Sequence, residues 1–414
     1  MTAVLSERLQ EVRGQFPALS RMGPQDLPVV YADAPGGTQV PNGVVDAIRN
    51  YLVENNSNIE GEFAATRETD ALIRRARELA GVFVGGHSNE IAFGQNMTTL
   101  NFNLSRALGR TLRPGDEIVV TQLDHDANVA PWLLLAADLD LVIRTVRVTA
   151  ELDVDLDHLH ALIGPRTRVV AATLASNAVG TTPRARLISD LAHEQGALAW
   201  FDAVAFAPHL RIDVKNLGCD VLLCSPYKFF GPHLGLAWIR RELAETLPAE
   251  RVRPAAEYPP GHRFETGTLS HEGIAGFCAA VEYIASLGSG AALSNQLDDA
   301  YERIAGHEGD LSRGFLDGIA KVQGVTLLGR PGTEGRVCTF GLRLHDADPA
   351  AVARALDARG IFAWNGSFYA QGVMEALGLS VDKGILRLGY VHYATLVEIE
   401  RSIAALDDIL RGGC

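Results

Sequence analysis

Cysteine is scarce in this chain: Cys219, Cys224, Cys278, Cys338 and Cys414 are five residues among 414. They form no C-x-x-C pair and no zinc-ligand spacing, which excludes a disulfide scaffold and a thiolate-bound structural metal and points to a reducing, intracellular protein. Basic clusters are lacking as well. Lys and Arg number 37 against 50 Asp and Glu, a net charge of -13, so a phosphate backbone would be repelled and nucleic acid is not an expected partner. No apolar run approaches the ~18 residues of a membrane span. Residues 1–17 carry Glu7, Arg8, Glu11 and Arg13 where a signal peptide has its apolar centre. The expectation is a cytoplasmic protein with no membrane partner. Internal repeats and low-complexity segments are also missing.

What is present is apolar sequence enough to fold. Hydrophobic residues make up 47% and charged residues 21% of a length worth two or three domains. A chain of this size buries roughly three-quarters of its unfolded surface and needs no covalent staple. Short apolar runs alternate with helical-period stretches, the pattern of a parallel α/β sheet. Helices are expected over 44–54, over 66–84 with Thr66 as N-cap, and over 274–287. Strands are expected over 117–120, 169–173, 198–201, 221–224 and 236–239. The Gly-rich stretch 287–291 precedes a long polar helix, and beyond Gly324 the texture changes to a few alternating strands and two helices. A domain boundary is therefore expected near residue 290.

Ligands of an open α/β sheet sit beyond the carboxyl ends of its strands, so polar residues that follow apolar runs come first. Three places qualify. Asp202 follows Leu198-Ala199-Trp200-Phe201, Ser225-Pro226-Tyr227-Lys228 follows the run 221–224, and Ser176-Asn177 follows the run 169–175. A carboxylate at one strand end and a lysine beyond another are what pyridoxal 5'-phosphate (PLP) requires. The lysine is its Schiff-base partner and the carboxylate keeps the ring nitrogen protonated. Taken singly, a strand-end Asp also serves as a turn residue and a Lys as a solvated cation, so spacing alone leaves both readings open.

Three motifs in order carry a resemblance: Phe201-Asp202-Ala203, then Cys224-Ser225-Pro226-Tyr227-Lys228-Phe229-Phe230-Gly231-Pro232, then Arg263-Phe264-Glu265-Thr266-Gly267-Thr268. The chain resembles class V aminotransferase-fold enzymes, the cysteine desulfurase and selenocysteine lyase branch above all, from about Tyr31-Ala32-Asp33 through Arg387. That resemblance implies an α/β fold of the PLP-dependent transferase type I. Its parts would be an N-terminal segment 1–20 packing on the small domain, a large domain 21–290 with a mainly parallel seven-stranded sheet, and a smaller α+β domain 291–414. It implies Lys228 as the cofactor lysine, Asp202 as partner of the ring nitrogen and His125, in Asp124-His125-Asp126-Ala127-Asn128, as the residue stacked on the ring. Asn177 would lie near the phenolic oxygen. Thr98, Thr99 and Ser225 would hold the phosphate, two of them at a helix N-terminus where free amides favour an anion. Thr268 would reach the phosphate of the neighbouring subunit of a homodimer with shared active sites. Arg387 would grip the substrate carboxylate with its planar fork of donors.

The departures from the family pattern carry as much. Tyr227 stands where the family has His before the lysine, and Ala205 stands where it has Gln. The second-domain loop that bears the sulfur-accepting cysteine in desulfurases reads Phe362-Ala363-Trp364-Asn365-Gly366-Ser367-Phe368-Tyr369-Ala370. Persulfide transfer needs a thiolate, and neither Ser nor Tyr replaces one at neutral pH. Trp364, Phe368 and Tyr369 are either core residues or the wall of a pocket for a side chain larger than a thiol. The segment 55–63, with Asn58 at its centre, falls where the family approaches the substrate. Its amides and carboxylates would suit a polar or cationic substrate.

The expected function is thus PLP chemistry on an amino acid, as a β-eliminating carbon-sulfur lyase on cysteine or a cysteine S-conjugate and not as a persulfide-forming desulfurase. Aminotransferase, epimerase, or decarboxylating or carbon-carbon bond-forming chemistry is the alternative, because the cofactor serves all of them. A non-catalytic binding protein is opposed by intact Lys228, Asp202, His125 and Arg387.

Overall fold

The computed structural model describes residue 5, residues 8–253 and residues 255–412; Cys414 and the outermost residues of the expected segment 1–20 lie outside the described residues. After a short strand β1 (Val30–Tyr31), seven strands build the main sheet. They are β2 (Ile91–Gly94), β3 (Glu117–Thr121), β4 (Val142–Val146), β5 (Thr167–Thr173), β6 (Leu198–Asp202), β7 (Val221–Cys224) and β8 (Gly235–Ile239), in the spatial order β2-β8-β7-β6-β5-β3-β4. Each pair from β7 across to β4 is parallel, while β8 runs antiparallel to both β7 and β2. The expected strands are found within two residues of their expected ends. Their near-continuous Val, Leu, Ile and Ala are buried on both faces, as a sheet sandwiched between helices demands.

All three expected helices differ at their boundaries; the one expected over 274–287 runs His271–Ser286, with the Ser270 side chain accepting the Gly273 N–H as its cap. The helix Ala64–Val84 starts before Thr66, with Phe63 in the capping position. Thr66 is instead buried within the first turn, where its hydroxyl accepts the Gly61 N–H at 3.0 Å. The helix Asn42–Asn50 passes into a π-turn over Tyr51–Asn55. It lies close against the helix His271–Ser286, where a Cβ at Gly276 would stand 2.9 Å from the Ile48 side chain.

The turn at 287–292 leads into the helix Leu293–Ile319. Beyond it, β9 (Val325–Leu328), β10 (Thr339–Leu344), β12 (Trp364–Gly366) and β13 (Ile385–Gly389) form an antiparallel sheet in the order β12-β13-β10-β9, and β11 (Ile361–Phe362) pairs with β1 in parallel. Three helices follow Gly324 rather than two: Pro349–Asp357, the short Gln371–Ala376 and Leu396–Gly412. The N-terminal segment touches both sheets' surroundings. Arg13 pairs with Glu398 at 2.9 Å on the last helix, and Phe16 packs edge-on against Phe230 and Tyr283. Among the described residues no helix is long and apolar enough to cross a membrane.

The motif Arg263-Phe264-Glu265 earns its acid here. Glu265 accepts from Arg77 at 2.7 Å and from the Phe93 N–H at 2.8 Å, tying the segment 260–268 to β2 and to the helix Ala64–Val84. Burial pushes its carboxyl up, but the Arg77 charge and the hydrogen bonds from His262 and Arg77 outweigh that and leave it below its ordinary value. Such a group stabilises the fold above the unfolded carboxyl's pKa and loses that contribution as pH falls through its own. Glu265→Ala leaves Arg77 buried and unpaired, so it is expected to cost about 3–5 kcal/mol at neutral pH. A thermal melt should show a clearly lowered Tm that depends less on acid than the parent's; an unchanged Tm would refute the staple.

Candidate active site

Parallel neighbours place the ends of β3, β5, β6 and β7 on one edge of the sheet. In register, Thr173 at the end of β5 stands beside Asp202 at the end of β6, which stands beside Leu223 on β7. A cavity of about 290 Å³ opens at this edge and is lined by Thr98, His125, Asn177, Asp202, Ser225, Lys228, Trp364, Tyr369 and Arg387 among others. Nine of the expected site residues therefore meet at one place. The second sheet supplies Trp364 and Arg387, which antiparallel pairing sets directly opposite each other, and the turn after β12 supplies Tyr369.

Lys228 ends a short turn after β7, and its Nζ donates to the Pro35 carbonyl and sits 4.8 Å from the Tyr227 ring centroid. Burial above all, then the Arg387 charge, lowers its amine to about 7 against the pull of Asp202. Asp202 spends one oxygen on the Val204 N–H at 2.8 Å, and burial raises its carboxyl to about 6. His125 accepts the Ala127 N–H on Nδ1 at 3.0 Å, which assigns the neutral ring its proton on Nε2. Burial, helped by Lys228 and Arg387, lowers the imidazole to about 4, so His125 is a neutral donor at physiological pH. Behind it a buried chain holds the loop 124–128: Trp200 donates to Asn101, Asn101 to the Ala127 carbonyl, and Asn128 to Asp124.

Arg387 is buried, and burial lowers its guanidinium to about 9. Its Nη1 donates to the Asn177 carbonyl at 2.8 Å, its Nε has no partner among the described residues, and one face lies 3.9 Å from the Phe368 ring centroid. Asn177 also gives its side-chain amide to the Phe368 carbonyl at 2.8 Å. Phe368 and Tyr369 both adopt a left-handed φ of 56°, which costs roughly 1–3 kcal/mol each for residues other than glycine. The Asp126 N–H bound to the Tyr369 carbonyl at 2.7 Å helps hold them there.

Three expected residues stand outside the cavity lining of this chain. Thr99 is exposed and its amide caps on Asn96 Oδ1; Asn58 is exposed and turns its carbonyl oxygen to the Ile59 N–H; Thr268 is exposed on the segment 266–268. The sequence reading also missed Pro35, Gly36 and Met97, which do line it. Gly36 had a signal in the Pro-Gly-Gly run: a Cβ there would stand 2.3 Å from Trp364 Nε1.

The family model for aminotransferase class-V matches residues 30–401. This chain belongs to the class V aminotransferase family. Members of that family use pyridoxal phosphate, and the chain is a PLP-dependent enzyme. It is 32% identical to the probable cysteine desulfurase 1 of Mycobacterium leprae over 98% of this chain, and spans 66% of that protein's length, just under two thirds. It is 31% identical to the aminotransferase-like protein FGM3 of Gibberella zeae, over 97% of this chain and 98% of that one. The apo structure of a cysteine desulfurase from Thermococcus onnurineus superposes with a TM-score of 0.88 at 24% identity, covering 98% of each chain, which speaks to the fold alone.

The cavity fits the family's cofactor. In the first turn of the helix Met97–Gly109, Met97 N is bonded to Ser225 and Thr99 N to Asn96, while the Thr98 amide has no protein partner among the described residues. A free amide at a helix N-terminus is a seat for a phosphate. Asn177 Oδ1 is buried without a partner and the second oxygen of Asp202 is uncommitted, so polar contacts wait for a ring.

An amine lowered to about 7 is largely unprotonated just above neutrality and therefore nucleophilic. PLP followed by borohydride should label Lys228 and none of Lys215, Lys321 or Lys383, with a labelling rate that rises through about pH 7. Peptide mapping that finds the label on another lysine would end the assignment.

Proposed function

We propose that the enzyme is a carbon-sulfur lyase that eliminates a thiol from a cysteine S-conjugate. The observation that carries this reading is that, among the described residues, no usable thiol lies at the cavity. Cys219, Cys224, Cys278 and Cys338 are all buried, and none lines it. Burial pushes every one of these thiols up, Cys278 and Cys338 to about 12. A persulfide acceptor must ionise near neutral pH, so the desulfurase names of several relatives do not transfer easily. The expectation of a polar or cationic substrate rested on the segment 55–63, which stands outside this chain's lining. The aromatic loop stands inside it.

In this reading Lys228 carries the cofactor, with Thr98 and Ser225 on the phosphate and Asn177 beside the phenolic oxygen. Asp202 supports the ring nitrogen, and His125 covers the ring as a fixed neutral donor. Bound there, pyridoxal phosphate supplies an electron sink for charge that develops at the substrate Cα. Arg387 holds the substrate carboxylate, which sets the Cα–H within reach of Lys228 Nζ. Lys228 Nζ, released when the substrate amine takes its place, would accept that proton; the Cβ–S bond would break with its electron pair on sulfur, and the thiolate would take a proton from the Lys228 ammonium to leave as thiol. Water completes the balance: S-conjugate plus water gives thiol, pyruvate and ammonium. The aminotransferase-like name of the Gibberella relative favours a second reading, transamination, in which Lys228 returns the proton elsewhere and no sulfur leaves.

Incubating the PLP-loaded protein with S-benzyl-L-cysteine should release benzyl thiol, pyruvate and ammonium in equal amounts. A 2-oxo acid that retains the sulfur would establish transamination instead. Mass spectrometry after incubation with L-cysteine should find no persulfide on the protein; one on Cys224 would restore a desulfurase.

The reading includes a homodimer in which Thr268 meets the partner's phosphate. Val45, Leu52 and Val53 are exposed apolar residues on one short segment, surface that association would cover. Ultracentrifugation should give twice 44.5 kDa. A fully active monomer would refute it.

A further inference from the structure

Residues 364–369 do two different jobs at the cavity mouth, and neither follows from the cofactor. The Phe368 ring lies under the Arg387 guanidinium, its centroid 3.9 Å from the central carbon, and Nη1 of that arginine is already committed to the Asn177 carbonyl. One face and one nitrogen of the guanidinium are thus closed to a ligand. The Nε edge remains, buried and unpartnered. A guanidinium that keeps its Nε edge free presents two parallel donors, the geometry that pairs with both oxygens of a carboxylate. Trp364 and Tyr369 stand at the same opening but turn outward, 50% and 68% exposed, although both line the cavity. Large aromatic rings left wet at a cavity mouth have apolar surface still to cover. The Tyr369 ring stands 5.4 Å from the His125 ring, and Trp364 lies across the sheet from Arg387, so the two rings flank the entrance above the carboxylate site.

We propose that the segment 364–369 sets the substrate class of this enzyme. Phe368 is a positioning residue that fixes the Nε edge of Arg387 for an α-carboxylate, and Trp364 with Tyr369 receives an apolar, preferably aromatic, substrate side chain. The proposal rests on the reading that Arg387 holds the substrate, and it narrows that reading from S-conjugates in general to those with a bulky apolar group on sulfur. Both jobs depend on the left-handed backbone at 368 and 369. It turns Phe368 inward and Tyr369 outward at successive positions, and the bonds from Asn177 and Asp126 pin both carbonyls.

The test is a binding titration of the PLP-loaded protein, read from the change in cofactor absorbance. The ligands are S-benzyl-L-cysteine, S-methyl-L-cysteine, and S-benzylcysteamine, which lacks the carboxylate. The parent should bind the benzyl amino acid at least about tenfold more tightly than the methyl one, the scale expected of a filled apolar pocket. Phe368→Leu should weaken both amino acids about tenfold and leave S-benzylcysteamine unchanged, with Phe368→Tyr restoring the parent's values. Trp364→Ala with Tyr369→Ala should remove the benzyl preference and keep the carboxylate dependence. Equal weakening of amine and amino acids by Phe368→Leu would overturn the positioning role, and a parent without benzyl preference would overturn the side-chain role. The second comparison needs no variant. Because binding is read apart from bond cleavage, a protein that binds in this pattern and releases no thiol would refute the lyase and uphold this inference.

Discussion

Asn177 is the joint on which the site turns. Its backbone carbonyl takes a hydrogen bond from Arg387 on β13, and its side chain gives one to the Phe368 carbonyl. A residue just past the end of β5 thus holds β13 of the other sheet and the turn that follows β12. Together with the bond from the Asp126 N–H to the Tyr369 carbonyl, these two bonds set the part of the cavity built on the main sheet against the part that carries Arg387. Charge-assisted hydrogen bonds of the first kind are in general the stronger, and both bonds measure 2.8 Å here.

The electrostatics of the cavity follow from the same enclosure. Desolvation is the leading cause of the shifts at Lys228, Asp202, His125 and Arg387 alike. It weakens each charge in a place that contains two cations and one anion, and the imidazole answers by staying neutral. An enclosed mixture of softened charges is what proton movement at a carbon acid needs, since donor and acceptor then lie close in affinity.

Much of this was legible in the sequence, and the reasons are local. β6 and β7 are buried on both faces and read as unbroken apolar runs, so the residues after them, Asp202 and Ser225 to Lys228, could be placed at strand ends. β4 carried no such signal: at the sheet's edge its Arg144 is only partly covered and its Thr145 is exposed. β2 was too short, at four residues, to show a period. The helix Ala64–Val84 was dated from Thr66 because threonine favours caps, but here the hydroxyl serves a loop from inside the turn. In the site, Pro35 and Gly36 were passed over because each meets the cavity through a long-range contact that spacing does not encode, Pro35 with Lys228 and Gly36 with Trp364. Register alone puts Trp364 opposite Arg387, and a one-residue slip would have turned it away.

Gly36 touches no reacting group, yet it governs the width of the entrance. The indole of Trp364 occupies the volume that any larger residue at 36 would claim. An alanine or serine at 36 would have to displace the indole, and the opening would change shape with it. The width of the opening and the charged groups of the cavity are therefore set at separate positions of the chain.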